Sequence, residues 1–372
     1  MQMQYAGILL NSALYRGITI GRTGTEALGH YVEAARKYGV IPCFLRLEDI
    51  HPTKRHCVAQ VPVDGGYQRM LVPVPTVIHN RAMYKHRRSW QRLEALRRRG
   101  VHIFNGYTRF NKYDVHQLLT RDRSLLPHLP ATHKASSASI TKLLEEHGDV
   151  VLKPCNGSIG KGIMRLYKGR EYWMMQYRER AGERKWLNAP LLNGQLPYWM
   201  LQRMHSQAYI VQQTVPLAQY HGRPFDIRVT VQRGYGGSWG ITGMFAKVAP
   251  PNSFVSNVGQ GGSAIRVEEA LAFNFPPYQV RLLLSRLEML AIRIAQSLAS
   301  SLVHSGPLSP LADVGLDLGV DQRGELHFIE CNGRDQRYGF REAGMPEIWQ
   351  ETYDKPVAYA SWVLHQLALK RM

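Results

Sequence analysis

Three oxygen-bearing side chains near the end of the chain have the spacing of a cation site. In GLDLGVDQRGELHFIECN, Asp317 ends one apolar run, and Glu330 and Asn332 alternate along a second. Residues two apart on a strand face the same side, so Glu330 and Asn332 can offer oxygens to one ion while Cys331 turns to the opposite face. Oxygen donors without histidine suit Mg2+, with Mn2+ as a substitute, far better than zinc. An Asx turn beside a strand-end ion pair would leave the same residues in the same order, and Glu-x-Asn by itself does not decide between the two.

A second group of residues suits phosphate. In VVLKPCNGSIGKGIM, residues 150–164, an apolar strand carrying Lys153 runs into Gly157-Ser158-Ile159-Gly160-Lys161-Gly162 and out into another apolar run. Closely spaced glycines let the backbone fold over a polyanion and present N–H groups, while a fixed lysine neutralises charge. The Walker pattern needs Gly-Lys-Ser/Thr entering a helix, and the dinucleotide fingerprint needs a helix after its glycines. Here Ile163, Met164 and Leu166 point to renewed extension instead. A phosphate-covering loop and a plain tight hairpin are both open on these residues. Downstream, RPFDIRVTV alternates so that Asp226 and Arg228 share one face and Phe225, Ile227 and Val229 the other. A strand-borne guanidinium matches phosphate oxygens bidentately, and a cross-strand salt bridge is the competing use of the same pair. Lys247, on the run that follows, is a further cation for phosphate or carboxylate.

Composition bounds what these residues can serve. At 372 residues and 44% hydrophobic content, the chain can bury two or three cores. Four cysteines, Cys43, Cys57, Cys155 and Cys331, lack any CxxC pairing, which argues against a zinc site or a disulfide framework and for reduced, mostly buried thiols. No run approaches the ~20 apolar residues of a membrane helix, and the N-terminus lacks a basic region followed by an apolar one, so a cytoplasmic location is expected. The formal charge of +19, with clusters at Lys85-His86-Arg87-Arg88 and Arg97-Arg98-Arg99, favours a polyanionic partner: nucleotide, nucleic acid, acidic peptide or anionic surface. RSWQRLEALRRRG sets Trp90, Leu93 and Leu96 on one side with arginines opposite, so one solvated helix face accounts for both clusters. No zinc-finger or RRM signature raises nucleic acid above that reading.

The elements that must position these residues follow from periodicity. Runs at 5–10 and 41–47 read as buried strands flanking an amphipathic helix over 25–38, and 77–81, the basic helix and 101–105 make a second βαβ unit. A helix over 113–119 and a capped helix in SITKLLEEHGD lead to the Lys153 strand. Strands are expected at 209–215, in RPFDIRVTVQRG, in GSWGITGMFAKVA and at 326–332, with helices from 277 to 300 and from 346 to 369. Residues 165–205 show no clean period.

In order, Lys112, Lys153 with its glycine loop, Gln212-Gln213-Thr214-Val215, DIR, SN-x-x-x-GG and Asp…Glu-x-Asn resemble the ATP-grasp superfamily over roughly residues 106–343. ILLNSALYRG…GRTGTEAL and ECNGRDQRYGFREAG resemble a narrower group across nearly the whole chain, the YheC/YheD endospore coat-associated proteins. The resemblance implies an α+β fold in which two α/β subdomains grip ATP behind an α/β N-terminal domain. Its divisions would be 1–105, 106–215 with lid loop and hinge, 216–345 with the metal site, and 346–372 as a C-terminal helix. It implies that Lys112, Lys153 and the loop around Gly157, Ser158, Gly160 and Gly162 meet ATP phosphates. Gln212, Gln213 and Val215 would border adenine, and Asp226, Arg228, Lys247 and Asn257 would surround the nucleotide and the transferring phosphoryl group, with Lys153 and Arg228 catalytic. Asp317, Glu330 and Asn332 would hold one or two Mg2+ ions, and Gly261, Gly262, Arg334 and Arg337 would lie toward the acceptor. The implied activity joins a carboxylate to an amine through an acyl phosphate, in the mother cell or at the spore coat or envelope. An ATP-binding coat component without turnover is the alternative. One departure stands out: glutamate ligases of this superfamily follow Glu-x-Asn with Ser-x-Pro-Gly, whereas this chain has Gly333-Arg334-Asp335-Gln336-Arg337-Tyr338. The two arginines are expected to meet an anionic group, or Arg337 to pair with Asp335.

Overall fold

The computed structural model describes residues 4–157, 160–179, 185–191, 194–304 and 310–370. Three sheets follow one another along the chain. The first contains β1 (Gln4–Leu9), β2 (Val40–Leu45), β3 (His56–Val63), β4 (Gly66–Pro73), β5 (Val77–Asn80) and β6 (His102–Phe104), in the order β4-β3-β2-β1-β5-β6. The strands β2, β1, β5 and β6 are parallel, as two βαβ units require. The β3–β4 hairpin extends the sheet beyond the two units expected from sequence, and turns at Asp64-Gly65 with Gly65 at φ +83°.

The second sheet contains β7 (Thr132–Lys134), β8 (Asp149–Pro154), β9 (Met164–Lys168), β10 (Trp173–Tyr177), β11 (Leu187–Pro190) and β12 (Tyr209–Gln213), in the order β11-β10-β9-β8-β12-β7. Its inner face packs on the helices Ser137–His147 and Tyr198–Ser206 through Ile140, Leu143, Leu152, Leu166, Met200 and Val211. The helix Ser137–His147 opens with the Ser136/Ser139 capping box and closes on Gly148 at φ +71°.

The third sheet contains β13 (Gln219–Tyr220), β14 (Arg223–Arg233), β15 (Trp239–Val248), β16 (Ser263–Arg266), β17 (Asp313–Val320) and β18 (Leu326–Asn332). Its order is β16-β15-β14-β17-β18, with β13 beside β14. The helix Pro277–His304 lays Val280, Leu283, Leu287, Leu290, Ile294 and Leu298 on one face of it. Each such side chain contributes about 2 kcal/mol on leaving water. Phe225, Ile227 and Val229 of β14 join that core, which turns Asp226 and Arg228 to the other face.

The helix Pro346–Leu369 joins the two ends of the chain. Tyr353, Val357, Tyr359, Ala360 and Val363 share a core with Ala6, Ile8, Tyr31 and Phe44 of the first sheet and its helix. Pro356, inside this helix, has no N–H for the carbonyl of Thr352. The Gln232 amide of β14 donates to that carbonyl at 2.8 Å, so the break in the helix anchors it to the third sheet.

Candidate active site

The second and third sheets present their polar faces to one another across a cleft. On β8, Val150 and Leu152 are in the core, so Val151 and Lys153 face outward into the cleft. On the third sheet the register sets Lys247 opposite Asp226, Arg228 opposite Asp317, and Asp317 opposite Glu330. Period-two alternation on three strands, and a bulge in β18 that turns Glu330 away from the core face of Phe328, thus collect five charged side chains in one patch.

The charges are paired closely. Lys247 Nζ lies 2.7 Å from Asp226 Oδ1 and 3.0 Å from Asp317 Oδ1. Arg228 donates through Nε at 2.6 Å and Nη2 at 3.3 Å to Asp317, and through Nη1 at 2.7 Å to Asp335. Lys112 donates to Glu330 Oε1 at 2.7 Å and to the Gly157 carbonyl at 3.0 Å, tying the glycine loop to the third sheet. Burial alone would raise the Asp317 carboxyl, but Arg228 and Lys247 outweigh it and hold Asp317 down to about 2. Burial lowers Lys153 to about 8, with Glu330 pulling the other way. Burial would also lower Lys247, yet Asp226 and Asp317 raise it.

Several expected positions are placed differently from the sequence expectation. Asp317 lies in the middle of β17, not at its end, because the strand starts at the buried Asp313, which is satisfied by Arg337. Gln212 is buried, with its amide oxygen accepting from Lys153 at 2.7 Å and its amide nitrogen donating to Thr132 Oγ1 at 2.9 Å. It therefore orients Lys153 while lining the cleft beside Gln213 and Val215. Arg337 is fully buried and pairs with Asp313 rather than Asp335, its guanidinium 4.6 Å from the centre of the Tyr353 ring. Arg334 lies 3.5 Å from Glu26, which is held mainly by Arg81 at 3.0 Å. Both arginines belong to the junction between the first and third sheets.

The remaining expected residues surround the cleft. Gln213, Val215 and Asn257 line it, and Asn257 also accepts from the Gly259 N–H at 2.9 Å. Gly157 folds against Pro154, Gly160 at φ +63° faces Val255 and Gln260, and Gly162 at φ +75° offers its carbonyl to Tyr209. The loop joins β8 to β9 as a hairpin, and Gly160 and Ile163 line the cleft. Ser158 lies outside the described residues. Gly261 takes φ +93°, and a side chain on Gly262 would meet the Val248 carbonyl at 2.8 Å. Asn332 stands two residues beyond Glu330, opposite Gly315.

Residues that no sequence pattern signalled close the cleft. Trp186 donates to Ser253 Oγ at 3.1 Å and lies 4.6 Å from the Phe254 ring. Arg178 stacks over Trp186 at 4.1 Å and donates to Gln260. These contacts run from the β10–β11 hairpin to the third sheet. The inner chamber beside Lys153 and Asp317 has about 130 Å³ of free space. An adjoining cavity of about 1120 Å³ shares Gln213, Thr214, Val215, Leu217 and Phe254 with it. A drug-sized ligand needs roughly 300–1,000 Å³, so a nucleotide would span both and not the inner chamber alone.

Asp317 and Glu330, directly opposed on β17 and β18, are hard oxygen donors that fit Mg2+. Among the described residues no cluster of three or more His, Cys, Asp or Glu is placed to hold a metal. Mg2+ needs none, since it takes one or two carboxylates and completes its shell from phosphate and water.

Two polar sheet faces closing on a lysine-bearing strand, a glycine hairpin and an oxygen donor pair define an ATP-grasp fold. Within that class the chain belongs to the YheC/D-like ATP-grasp family, whose model matches residues 100–363. It is 25% identical over 306 residues to the endospore coat-associated protein YheD of Bacillus subtilis (strain 168), covering 81% of this chain and 65% of that one. It is 22% identical over 302 residues to the endospore coat-associated protein YheC of the same strain, covering 80% of each. This chain therefore spans just under two thirds of the YheD length. Among solved structures, the ATP-grasp ligase PsnB, complexed with its precursor peptide PsnA2 and AMPPNP, superposes with a TM-score of 0.52 at 12% identity. That superposition covers 95% of this chain and 100% of PsnB, and bears on the fold.

Proposed function

We propose that the chain is an ATP- and Mg2+-dependent ligase joining a carboxylate to an amine through an acyl phosphate. The observation that carries this reading is the convergence of Lys153 from the second sheet and Asp226, Lys247, Asp317 and Glu330 from the third on one cleft. The β- and γ-phosphates would lie between them under the glycine loop. A substrate carboxylate oxygen attacks the γ-phosphorus and the bond to the ADP oxygen breaks, giving ADP and an acyl phosphate. An amine then attacks the acyl carbon and releases phosphate. Mg2+, one or two ions held by Asp317, Glu330 and Asn332, would neutralise phosphate charge.

The chain's own residues do the remainder. Lys153, held by Gln212, and Arg228, held between two carboxylates, supply fixed positive charge where charge moves in the transition state. Lys112 can exchange Glu330 for phosphate as the cation arrives. The loop and the Trp186–Phe254 contact exclude water, which would otherwise hydrolyse the acyl phosphate.

The names of the two Bacillus relatives, both endospore coat-associated, support a link to the spore coat, and we place the substrate in the coat or envelope and the protein in the mother cell or coat. One observation favours a second reading, a nucleotide-binding coat component without turnover. The turn at 333–337 is locked by buried ion pairs where other ligases keep an acceptor-bordering turn. Nucleic acid is the weaker partner, because Arg92 and Arg99 of the basic helix spend their guanidinia on carbonyls at 47–54 and Arg97 and Arg98 on Glu94. The test is ADP release in spore-extract fractions with ATP and Mg2+, alongside melting with Mg-ATP. Carboxylate- and amine-dependent ADP release supports the ligase, and Mg-ATP stabilisation without release supports the second reading. Absence of stabilisation, or equal stabilisation in Lys153→Ala and Glu330→Ala, overturns both.

A further inference from the structure

The residues at 333–337 do more than terminate β18. The Asp335 carboxylate accepts from Arg228 Nη1 at 2.7 Å and from Thr230 Oγ1, and its backbone carbonyl accepts from Arg81 Nη2 at 2.9 Å. It is fully buried and packed over Gly315, where any side chain would collide with it. The Gly333 carbonyl accepts from Asn105 Nδ2 at 2.9 Å, and Arg337 is fixed by Asp313. The turn is thus pinned by the first sheet on one side and the third on the other.

Its electrostatic place is more specific than packing requires. Asp226, Lys247, Asp317, Arg228 and Asp335 form an alternating chain, each cation lying between two carboxylates. Asp317 occupies the centre and touches both cations, but each is also claimed by an outer carboxylate. Three carboxylates against two cations leave the series with one surplus negative charge, and neither cation belongs to Asp317 alone. Were Asp335 absent, Arg228 would have Asp317 as its only carboxylate partner in this chain, and the surplus would vanish.

We propose that Asp335 is a positioning residue that shares Arg228 with Asp317 and so leaves Asp317 available to a divalent cation. This rests on the reading of the cleft as a Mg-ATP site. Asp335 touches neither nucleotide nor metal in this account and acts through Arg228.

The test measures ATP binding by the full-length protein as Mg2+ is titrated, using calorimetry and thermal shift. Asp335→Asn keeps the shape and an acceptor for Arg228 while removing the charge. The half-saturating Mg2+ concentration is expected to rise about tenfold, the scale of losing a group that supports a metal ligand. ATP affinity at saturating Mg2+ should stay within about twofold, since the phosphate-binding cations remain. A folded Asp335→Asn protein with unchanged Mg2+ half-saturation overturns the proposal, as does one weakened equally at all Mg2+ concentrations, which is the mark of a merely structural residue. If Asp335→Asn does not fold, Thr230→Val decides: it frees Oδ2 and should shift half-saturation about two- to threefold, and no shift overturns the proposal. A wild-type protein that binds no ATP with Mg2+ overturns the reading of the cleft and this inference with it. A wild type that binds, with both variants unaltered, overturns the inference alone.

Discussion

ATP affinity should fall as pH rises through 8, and Lys153 should be the cause. Its ammonium is half-buried on β8 at the wall of the cleft, and burial brings its pKa from 10.5 to about 8 despite the pull of Glu330. Asp317, held at about 2, and Lys247, raised above its usual value, keep their charges across this range. If only the protonated amine accepts triphosphate, the apparent dissociation constant scales inversely with the protonated fraction. That fraction falls from about nine tenths at pH 7 to about one tenth at pH 9, so affinity should weaken about tenfold, or ~1.4 kcal/mol. The stability of the free protein should move in the opposite direction. Between about 8 and 10.5 the unfolded chain carries the extra proton on Lys153, so this residue makes the folded state more stable as pH rises. Calorimetric ATP titrations at pH 7, 8 and 9 with saturating Mg2+ measure the first effect, and urea denaturation over pH 8–10 the second. Lys153→Arg keeps its charge throughout and should bind without the slope. A flat wild-type profile, or an equal slope in Lys153→Arg, would refute the assignment.

Three further outcomes follow from the same geometry. Arg337→Met should lower unfolding free energy by about 3 kcal/mol in urea melts, because the buried Asp313 loses its nearest cation and is left with Arg81 at 3.6 Å and the Gln232 amide at 3.0 Å. His79 is stacked on Phe104 and held neutral by burial at about 4, with Asp313 opposing the shift. Its contribution is full above 6.5, falls as pH drops toward 4 and totals on the order of 3 kcal/mol; His79→Leu should flatten the acid limb of the denaturation profile. Trp186→Ala removes the stack with Arg178 and Phe254 and should speed nucleotide release about fivefold in stopped-flow displacement, the kinetic equivalent of ~1 kcal/mol.

What could be read from the chain was whatever repeats locally. The Lys153 strand and the alternation in RPFDIRVTV place their side chains by period alone, and the structure keeps those faces; in LHFIECN a bulge at Ile329 shifts the phase, so Phe328 and Cys331 both reach the core while Glu330 faces the cleft. The β3–β4 hairpin carried a signal in Asp64-Gly65, but β4 is an exposed edge strand with little apolar alternation to reinforce it. Asp317 looked like a strand end because a carboxylate inside an apolar run has no local partner; its partner Arg228 lies 89 positions earlier. Arg337 stands two residues from Asp335 and pairs instead with Asp313, 24 positions away. Glu26 and Arg81, 55 positions apart, meet where the loop before the helix Leu28–Lys37 comes beside the residue after β5. Long-range ionic pairs carry no period, so the sequence names their members without naming the couples.

The paired state of the cleft changes how substitutions there must be understood. Every charged group expected to receive Mg-ATP already has a protein partner: Glu330 has Lys112, Asp317 has Arg228 and Lys247, and Lys153 has the Gln212 oxygen. Binding is therefore an exchange of partners, and its free energy is the difference between two sets of charge-assisted bonds rather than the strength of one. Glu330→Ala removes an oxygen donor for Mg2+, but it also releases Lys112 toward phosphate, so Mg2+ dependence should suffer more than ATP affinity at saturating Mg2+. Lys112→Ala does the converse, freeing Glu330 for the cation while depriving phosphate of a charge. If the two residues act through that exchange, the double variant will not show the sum of the single losses, because each single change leaves the other partner unpaired. Additive losses would mean that Lys112 and Glu330 meet their ligands independently and that their pairing in the free protein plays no part in binding.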